Sequence, residues 1–143
     1  MSIKAITFAQ SVSVHVVLEL MDLGSLADMR KAMVSTDPPP ERVVANITLQ
    51  VVTGLTALHA AHQLHRDIKP QNILINTEGW VKLADFGIAK ELDSTAALAQ
   101  TFVGTSTYMS PERATGQAYS YQADVWSVGL VVYELATGVR VRP

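Results

Sequence analysis

The sequence predicts an α+β fold in which short strands are combined with two long helices. Three observations support this class: an ordinary globular composition, pairs of short β-branched segments, and two long apolar segments, in the first of which apolar residues lie three or four positions apart. Of the 143 residues, 48% are hydrophobic and 17% are charged, which is enough apolar side chain for a hydrophobic core. This length is within the range of one domain.

The first half of the chain is predicted to contain two strands and two helices. Ile3–Thr7 and Val12–Leu20 are rich in β-branched residues and are predicted to be strands. Ser25 can cap a short helix that extends to about Val34. In Glu41–His62 apolar residues recur with the helical period, so this segment is predicted to be a long amphipathic helix.

The second half is predicted to contain a hairpin, a long irregular segment and a second long helix. Ile73–Ile75 and Trp80–Ala84 are short apolar strands on either side of a polar turn. Residues 85–120 show little periodicity, and irregular segments of that length in compact domains are more often functional than not. Ala123–Ala136 is strongly apolar, and Gly138 is a suitable residue to end that helix.

The composition of the chain argues against nucleic-acid binding, disulfide bonds, secretion and insertion in a membrane. The formal net charge is −2 and no run of lysine or arginine is present, so no nucleic-acid partner is predicted. The absence of cysteine excludes disulfides and thiolate metal sites. The start lacks the pattern of a signal peptide, and no apolar run approaches the roughly 20 residues that span a bilayer. We therefore expect a cytoplasmic protein without membrane insertion.

One short stretch contains the residue types that phosphoryl transfer requires. The segment HRDIKPQN (65–72) is followed, behind the predicted hairpin, by DFG (85–87). Asp67 can accept the proton of an attacking hydroxyl, and Lys69 can reach the transferred phosphate. Asn72 and Asp85 offer hard oxygen ligands for Mg²⁺ from the two ends of the hairpin.

This spacing of HRDxKxxN and DFG resembles the protein kinase superfamily, and the lysine after the aspartate is similar to the serine/threonine-type arrangement. The resemblance implies a protein-kinase-like fold and the use of ATP and Mg²⁺. It implies catalytic roles for Asp67 and Lys69 and metal binding by Asn72 and Asp85. The resemblance also implies that Lys69, Asn72 and Asp85 take part in nucleotide binding.

The end of the second predicted strand and the residues after it resemble the fifth strand and hinge of that family. By this resemblance Leu18 would be the gatekeeper, and the backbone of Glu19 and Met21 would face adenine. Leu74 would lie below the adenine ring, and Ser25 is also assigned to the nucleotide site.

Four further side chains receive structural roles from this resemblance or from their position. His65 and Phe86 would stack in the column that joins the two lobes. Asp124, at the start of the last helix, is expected to accept hydrogen bonds from the backbone of the 65–72 loop, since a buried carboxylate needs such partners. Trp126 is predicted to lie in the core.

Two later segments narrow the resemblance to one subfamily. TFVGTSTYMSPER (101–113) and YSYQADVWSVG (119–129) resemble the MAP kinase kinases, as does LELMDLGSLADM (18–29). This implies a dual-specificity enzyme with a MAP kinase as substrate and a MAP kinase kinase kinase as upstream activator. A catalytically silent kinase-like binding protein, and a serine/threonine kinase of a neighbouring branch, are the alternatives.

The same resemblance implies how the enzyme is regulated. Thr101 and Thr95 are the expected phosphosites, with a separation similar to that of plant MAP kinase kinases, and Ser94 is a rival to Thr95. A phosphate there could order the loop against Arg66. Thr105 would position the acceptor residue of the substrate.

The resemblance also suggests a partial kinase domain, with residues 1–20 as the end of the N-lobe, 21–24 as the hinge and 25–143 as the first part of the C-lobe. No glycine-rich loop, Val-Ala-Ile-Lys strand or glutamate-bearing helix is found in the sequence, so these are expected to precede residue 1. On this basis the isolated 143-residue chain is expected to be poorly stable and nearly inactive. The sequence is also expected to be an incomplete part of a longer kinase sequence.

Overall fold

The computed structural model describes residues 3–8, 14–32, 37–85, 106–139 and 141. Within these ranges the chain forms four short strands and four helices, together with two 3₁₀ turns at Pro70–Asn72 and Ser106–Tyr108. In chain order the elements are β1 (Ile3–Phe8), β2 (Val14–Leu18), α1 (Leu26–Ala32), α2 (Glu41–Ala60), β3 (Ile73–Ile75), β4 (Val81–Leu83), α3 (Pro111–Ala114) and α4 (Tyr121–Thr137). The predicted α+β class is confirmed.

The described strands form two separate antiparallel pairs. β1 pairs with β2, with Phe8 opposite Val14. β3 pairs with β4, with Ile73 opposite Leu83 and Ile75 opposite Val81. The predicted hairpin is therefore confirmed, and β4 begins one residue later than expected because the backbone N–H of Trp80 donates to the Asn76 side chain within the turn.

The hydrophobic core lies where α2 packs against β4 and α4. Apolar residues three or four positions apart place one face of α2 in this core, as the sequence predicts. The buried apolar residues of the three elements are Val44, Ile47, Val51, Leu55, Val81, Leu83, Ala123, Val128, Val131 and Leu135. The same packing holds the loop after α2 against the first turn of α4. The predicted catalytic residues lie in this loop.

Gly54 lies within α2 on the side that faces β4. An added Cβ would be 3.5 Å from Leu83 Cδ1, an ordinary van der Waals contact that requires no displacement. Glycine in the middle of a helix costs about 1 kcal/mol relative to alanine. We therefore expect Gly54→Ala to raise the free energy of unfolding by about 0.5–1 kcal/mol, measured by urea denaturation.

Gly79 provides the matched control for this substitution. It lies in the β3–β4 turn with a φ of +82°, where an added Cβ meets nothing within 4 Å but the backbone conformation disfavours an L-residue. Gly79→Ala is expected to lower the free energy of unfolding by about 1 kcal/mol. If Gly54→Ala lowered the free energy of unfolding as much as Gly79→Ala does, the conclusion that there is room for a methyl group beside Leu83 would be contradicted.

Two predicted helix ends are confirmed. The Ser25 hydroxyl accepts a hydrogen bond from the Asp28 backbone N–H at 3.1 Å, and Asp28 in turn accepts from the Ser25 N–H at 3.2 Å. This reciprocal pair satisfies donors in the first turn of α1. Gly138 ends α4 with a φ of 70°, and its N–H donates to the Glu134 carbonyl at 3.1 Å.

The prediction that Trp126 lies in the core is wrong. Its side chain is 47% exposed, because the buried stripe of α4 runs through Asp124, Val128, Val131 and Leu135. At 100° per residue, Trp126 falls on nearly the opposite side of the helix from that stripe. Hydrophobicity alone therefore does not identify which face of α4 is buried.

The sequence prediction concerns an unbroken apolar run, but a helix interrupted by polar residues can still be long and apolar enough on average to span a bilayer. α2 (Glu41–Ala60) meets both criteria, because its polar residues are mostly uncharged. The core helix of a soluble protein can meet the same criteria, so this is weak evidence for a membrane span. In this fold the apolar stripe of α2 is covered by β4 and α4.

Candidate active site

The catalytic loop, defined here as residues 65–72, connects α2 to β3. α2 ends at Ala60, and His62 has a φ of 57° that directs the chain away from the helix axis. Arg66 has a φ of 70°, a left-handed conformation that costs a non-glycine residue about 1 kcal/mol or more. The loop ends in the Pro70–Asn72 turn, which leads directly into β3.

Asp67 and its neighbours form a compact polar cluster within this loop. Asn72 Nδ2 donates to Asp67 Oδ2 and to the Asp67 carbonyl, both at 2.8 Å. Lys69 Nζ lies 2.7 Å from the same Oδ2 atom. Asp67 Oδ1 is buried and has no hydrogen-bond partner among the residues that the structure describes. One carboxylate oxygen is thus held in place while the other remains able to accept a proton.

Asn72 and Asp85 are brought together by the hairpin. The Ala84 N–H donates to the Asn72 carbonyl at 2.9 Å and extends the β3–β4 pairing by one step. Asp85, the next residue, is exposed and has a left-handed φ of 59°. Because both hydrogens of the Asn72 amide are used by Asp67, Oδ1 is the atom that this side chain can offer to a cation.

The backbone of the catalytic loop is anchored by the buried carboxylate of Asp124 in α4. Asp124 Oδ1 accepts the Arg66 N–H at 2.8 Å, and Oδ2 accepts the His65 N–H at 2.9 Å. Asp124 is only 2% exposed, so these backbone donors compensate for its loss of water. The sequence prediction for Asp124 is confirmed.

His59 is a further partner that sequence reasoning missed. Its Nε2 lies 2.9 Å from Asp124 Oδ2, and its ring centroid is 4.5 Å from that of Tyr121. Nothing in the sequence indicates that the last turn of α2 meets the first turn of α4.

His65 is buried, as expected for a packed residue. Burial lowers the pKa of His65, and the charges of Asp124 and Asp67 oppose this by raising it. The net direction favours the neutral imidazole, and its Nδ1 accepts the Asp67 N–H at 3.3 Å. This contact makes His65 a support for the catalytic loop.

The residues predicted as the hinge lie alongside β3. The Leu23 N–H donates to the Ile75 carbonyl at 3.3 Å, the Ile75 N–H donates to the Gly24 carbonyl at 2.9 Å, and Ser25 forms an isolated β-bridge with Leu74. Segment 21–25 is therefore held next to Leu74.

Side chains add to this connection between the predicted hinge and the hairpin. The Thr77 N–H donates to Asp22 Oδ1 at 2.9 Å, and this bond holds the pKa of Asp22 below its ordinary value. Glu19 Oε2 forms an ion pair with Lys82 Nζ at 3.1 Å.

The structure leaves several predicted roles untested. Leu18 ends β2 with an exposed side chain, and the Ser25 hydroxyl donates to Asp28 at 2.5 Å. Roles for these residues and for Met21 in nucleotide binding stay predictions. The residues predicted for packing between the lobes, for regulation by phosphorylation and for substrate positioning lie outside the described residues: Phe86, Ser94, Thr95, Thr101 and Thr105.

A second buried carboxylate, which sequence reasoning missed, connects three elements. Glu134 in α4 accepts the Tyr108 hydroxyl at 2.5 Å and forms an ion pair with Arg30 of α1 at 2.9 Å. Ser127 donates to the Tyr108 carbonyl at 2.7 Å. These bonds attach the 106–108 turn to α4, on the same helix that anchors the catalytic loop.

Comparison with known proteins identifies the family to which this arrangement belongs. The family model for the protein kinase domain matches residues 3–143, which is nearly the whole chain. The chain belongs to the protein kinase domain family.

Among curated proteins, this kinase chain is similar to MAP kinase kinases from distant organisms. It is 52% identical over 134 residues to mitogen-activated protein kinase kinase SIPKK of Nicotiana tabacum, covering 93% of the chain and 37% of that relative. It is 49% identical to dual specificity mitogen-activated protein kinase kinase 1 of Dictyostelium discoideum, covering 88% of the chain and 19% of the relative.

A third relative has the same kind of name. The chain is 52% identical to mitogen-activated protein kinase kinase 5 of Leishmania mexicana, covering 92% of the chain and 24% of the relative. The chain thus spans little more than a third, or less, of the length of the curated relatives it matches. The resemblance to MAP kinase kinases found in the motifs is confirmed.

Proposed function

We propose that the protein transfers the γ-phosphoryl group of ATP to protein hydroxyls, as a MAP kinase kinase. The observation that carries this proposal is the cluster of Asp67, Lys69 and Asn72, with Asp85 beside it at the end of the hairpin. Phosphoryl transfer depends mainly on positioning and on stabilising charge, and this cluster contains the groups for both.

Asp67 would act on the acceptor hydroxyl through Oδ1. This atom is buried without a partner in the described part of the chain, whereas Oδ2 is held by Asn72 and Lys69. An oxygen that lacks a hydrogen-bond donor has lone pairs free for the hydroxyl proton of a substrate that comes within hydrogen-bond reach. Lys69, 2.7 Å from Oδ2, would offer its positive charge to the transferred phosphate.

The donor set fits Mg²⁺, which prefers oxygen ligands and commonly retains water and phosphate oxygens. Asn72 would contribute its amide Oδ1 and Asp85 its carboxylate. When bound, Mg²⁺ neutralises negative charge on the phosphates of ATP. Asn72 has a double role in this proposal, since its Nδ2 also orients the carboxylate of Asp67.

The nucleotide base would bind beside the hinge and above Leu74 of β3. Glu19 and Met21 would offer backbone groups, Leu18 would border the site and Leu74 would contact the adenine ring from below. This proposal is supported by the backbone hydrogen bonds that hold segment 21–25 against β3 beside Leu74. Ser25 would lie at the edge of this site.

The names of the relatives support the proposed substrate and partners. We expect a MAP kinase as substrate, with threonine and tyrosine both phosphorylated, and a MAP kinase kinase kinase as activator. Thr95 and Thr101 would be its target sites, Arg66 the partner of the added phosphate, and Thr105 a substrate-positioning residue. The proposed location is cytoplasmic.

The test is incorporation of ³²P from γ-labelled ATP into a MAP kinase by the full-length protein, with the modified residues mapped by mass spectrometry. We expect phosphate on one threonine and one tyrosine of the MAP kinase activation loop. Asp85→Ala should abolish the transfer because it removes a metal ligand, whereas Glu78→Ala, in the exposed turn of the same hairpin, should leave it unchanged.

The other outcomes distinguish the alternatives. Phosphate on serine or threonine alone would favour a kinase of a neighbouring branch. No incorporation by a folded wild-type protein would favour a catalytically silent binding protein. Transfer that persists in Asp85→Ala would contradict the assignment of the metal ligand.

A further inference from the structure

Arg113 of α3 forms a contact with the catalytic loop. Its Nη1 donates to the Arg66 carbonyl oxygen at 2.5 Å, across 47 positions of the chain. This carbonyl belongs to the peptide group that joins Arg66 to Asp67. A charged donor on a backbone carbonyl makes a short, strong hydrogen bond.

The other end of the same peptide group is also held. The Asp67 N–H donates to His65 Nδ1 at 3.3 Å, so both polar atoms of the Arg66–Asp67 peptide have partners. On the preceding peptide, Asp124 accepts the Arg66 N–H. These bonds together maintain the left-handed conformation of Arg66, which is unfavourable by itself.

Tyr119 lies against both arginines of this contact. Its ring centroid is 5.0 Å from the guanidinium carbon of Arg113 and 5.9 Å from that of Arg66. Both distances are within the roughly 6 Å at which a cation is attracted to the face of an aromatic ring. The ring therefore offsets part of the repulsion between two neighbouring positive charges.

We propose that Arg113 and Tyr119 are positioning residues that orient the Arg66–Asp67 peptide and thereby aim the Asp67 carboxylate at the acceptor hydroxyl. Arg113 acts through the Arg66 carbonyl, and Tyr119 acts by holding the Arg113 side chain in place. This inference rests on the proposed phosphoryl transfer. It extends the site to α3 and to the segment between α3 and α4. Among the described residues, neither Arg113 nor Tyr119 forms a hydrogen bond with Lys69 or Asn72.

The experiment compares variants of the full-length protein by steady-state kinetics, with ATP and a MAP kinase varied in turn. Arg113→Met removes the donor and the charge, and is expected to lower kcat by roughly 10- to 100-fold while KM for ATP stays within about twofold. Arg113→Lys retains a charged donor and should restore part of kcat. Tyr119→Phe should behave as wild type and Tyr119→Leu should lower kcat, since the ring is what contacts the arginines.

Amide hydrogen exchange provides a readout that does not depend on activity. Faster exchange of the His65–Asp67 amides is expected in Arg113→Met and not in Arg42→Met, an exposed arginine at the start of α2. If the wild type transfers no phosphate, the proposed function fails, but this exchange pattern still decides whether Arg113 holds the loop.

Two results would overturn the proposal. One is unchanged exchange at His65–Asp67 in Arg113→Met. The other is a loss of kcat that is equal in Arg113→Met and Arg113→Lys and is fully explained by a smaller fraction of folded protein in each variant.

Discussion

Asp67→Asn is expected to lower the rate of phosphoryl transfer by roughly 10²- to 10⁴-fold, the usual contribution of a general base. The amide has nearly the same shape as the carboxylate, but it cannot accept the proton of the attacking hydroxyl and it removes the negative partner of Lys69. The side chain is partly exposed, so the free energy of unfolding should change little. The measurement is kcat with ATP and a MAP kinase, accompanied by the thermal midpoint.

The control for this prediction is Glu78→Gln, which makes the same change of charge in the exposed β3–β4 turn. It should retain the wild-type kcat. A wild-type rate in Asp67→Asn would show that Oδ1 of Asp67, although buried and without a described partner, takes no part in proton transfer.

Asp124→Ala is expected to have the largest effect on stability. It leaves the backbone N–H groups of His65 and Arg66 without their acceptor in a buried part of the fold. An unsatisfied buried donor costs about 1–3 kcal/mol, so the free energy of unfolding should fall by roughly 2–5 kcal/mol. Urea denaturation measures this change. The catalytic loop also loses its anchor, so kcat should fall as well.

Ser127→Ala, on the next turn of α4, provides a comparison for Asp124→Ala. It removes one buried neutral hydrogen bond, to the Tyr108 carbonyl, and should cost about 1 kcal/mol. Asp124→Asn should lie between these variants, because the amide keeps one oxygen acceptor. A change below about 0.5 kcal/mol in Asp124→Ala would contradict the view that this carboxylate supports the loop.

Much of this arrangement could be predicted because its information is local in the sequence. The spacing within residues 65–72, the short hairpin and Gly138 each specify a structure over a few positions. The role of Asp124 could be predicted from the resemblance to protein kinases, together with the need of a buried carboxylate for hydrogen-bond donors.

The remaining features depend on contacts between distant segments. The hydrogen bond from His59 to Asp124 and that from Arg113 to Arg66 join positions 65 and 47 residues apart, and no local pattern indicates either of them. The exposure of Trp126 depends on which stripe of α4 faces the core, which a strongly apolar helix does not reveal.

The central claim is that the cluster around Asp67 and the adjacent Asp85 transfer phosphate from ATP to protein hydroxyls. The most direct measurement is the rate of ³²P transfer from γ-labelled ATP to a MAP kinase by the full-length protein, compared between wild type and Asp85→Ala. We predict Mg²⁺-dependent transfer by the wild type and none above background by the variant. Equal transfer by the two proteins, or none by a folded wild type, would contradict the claim.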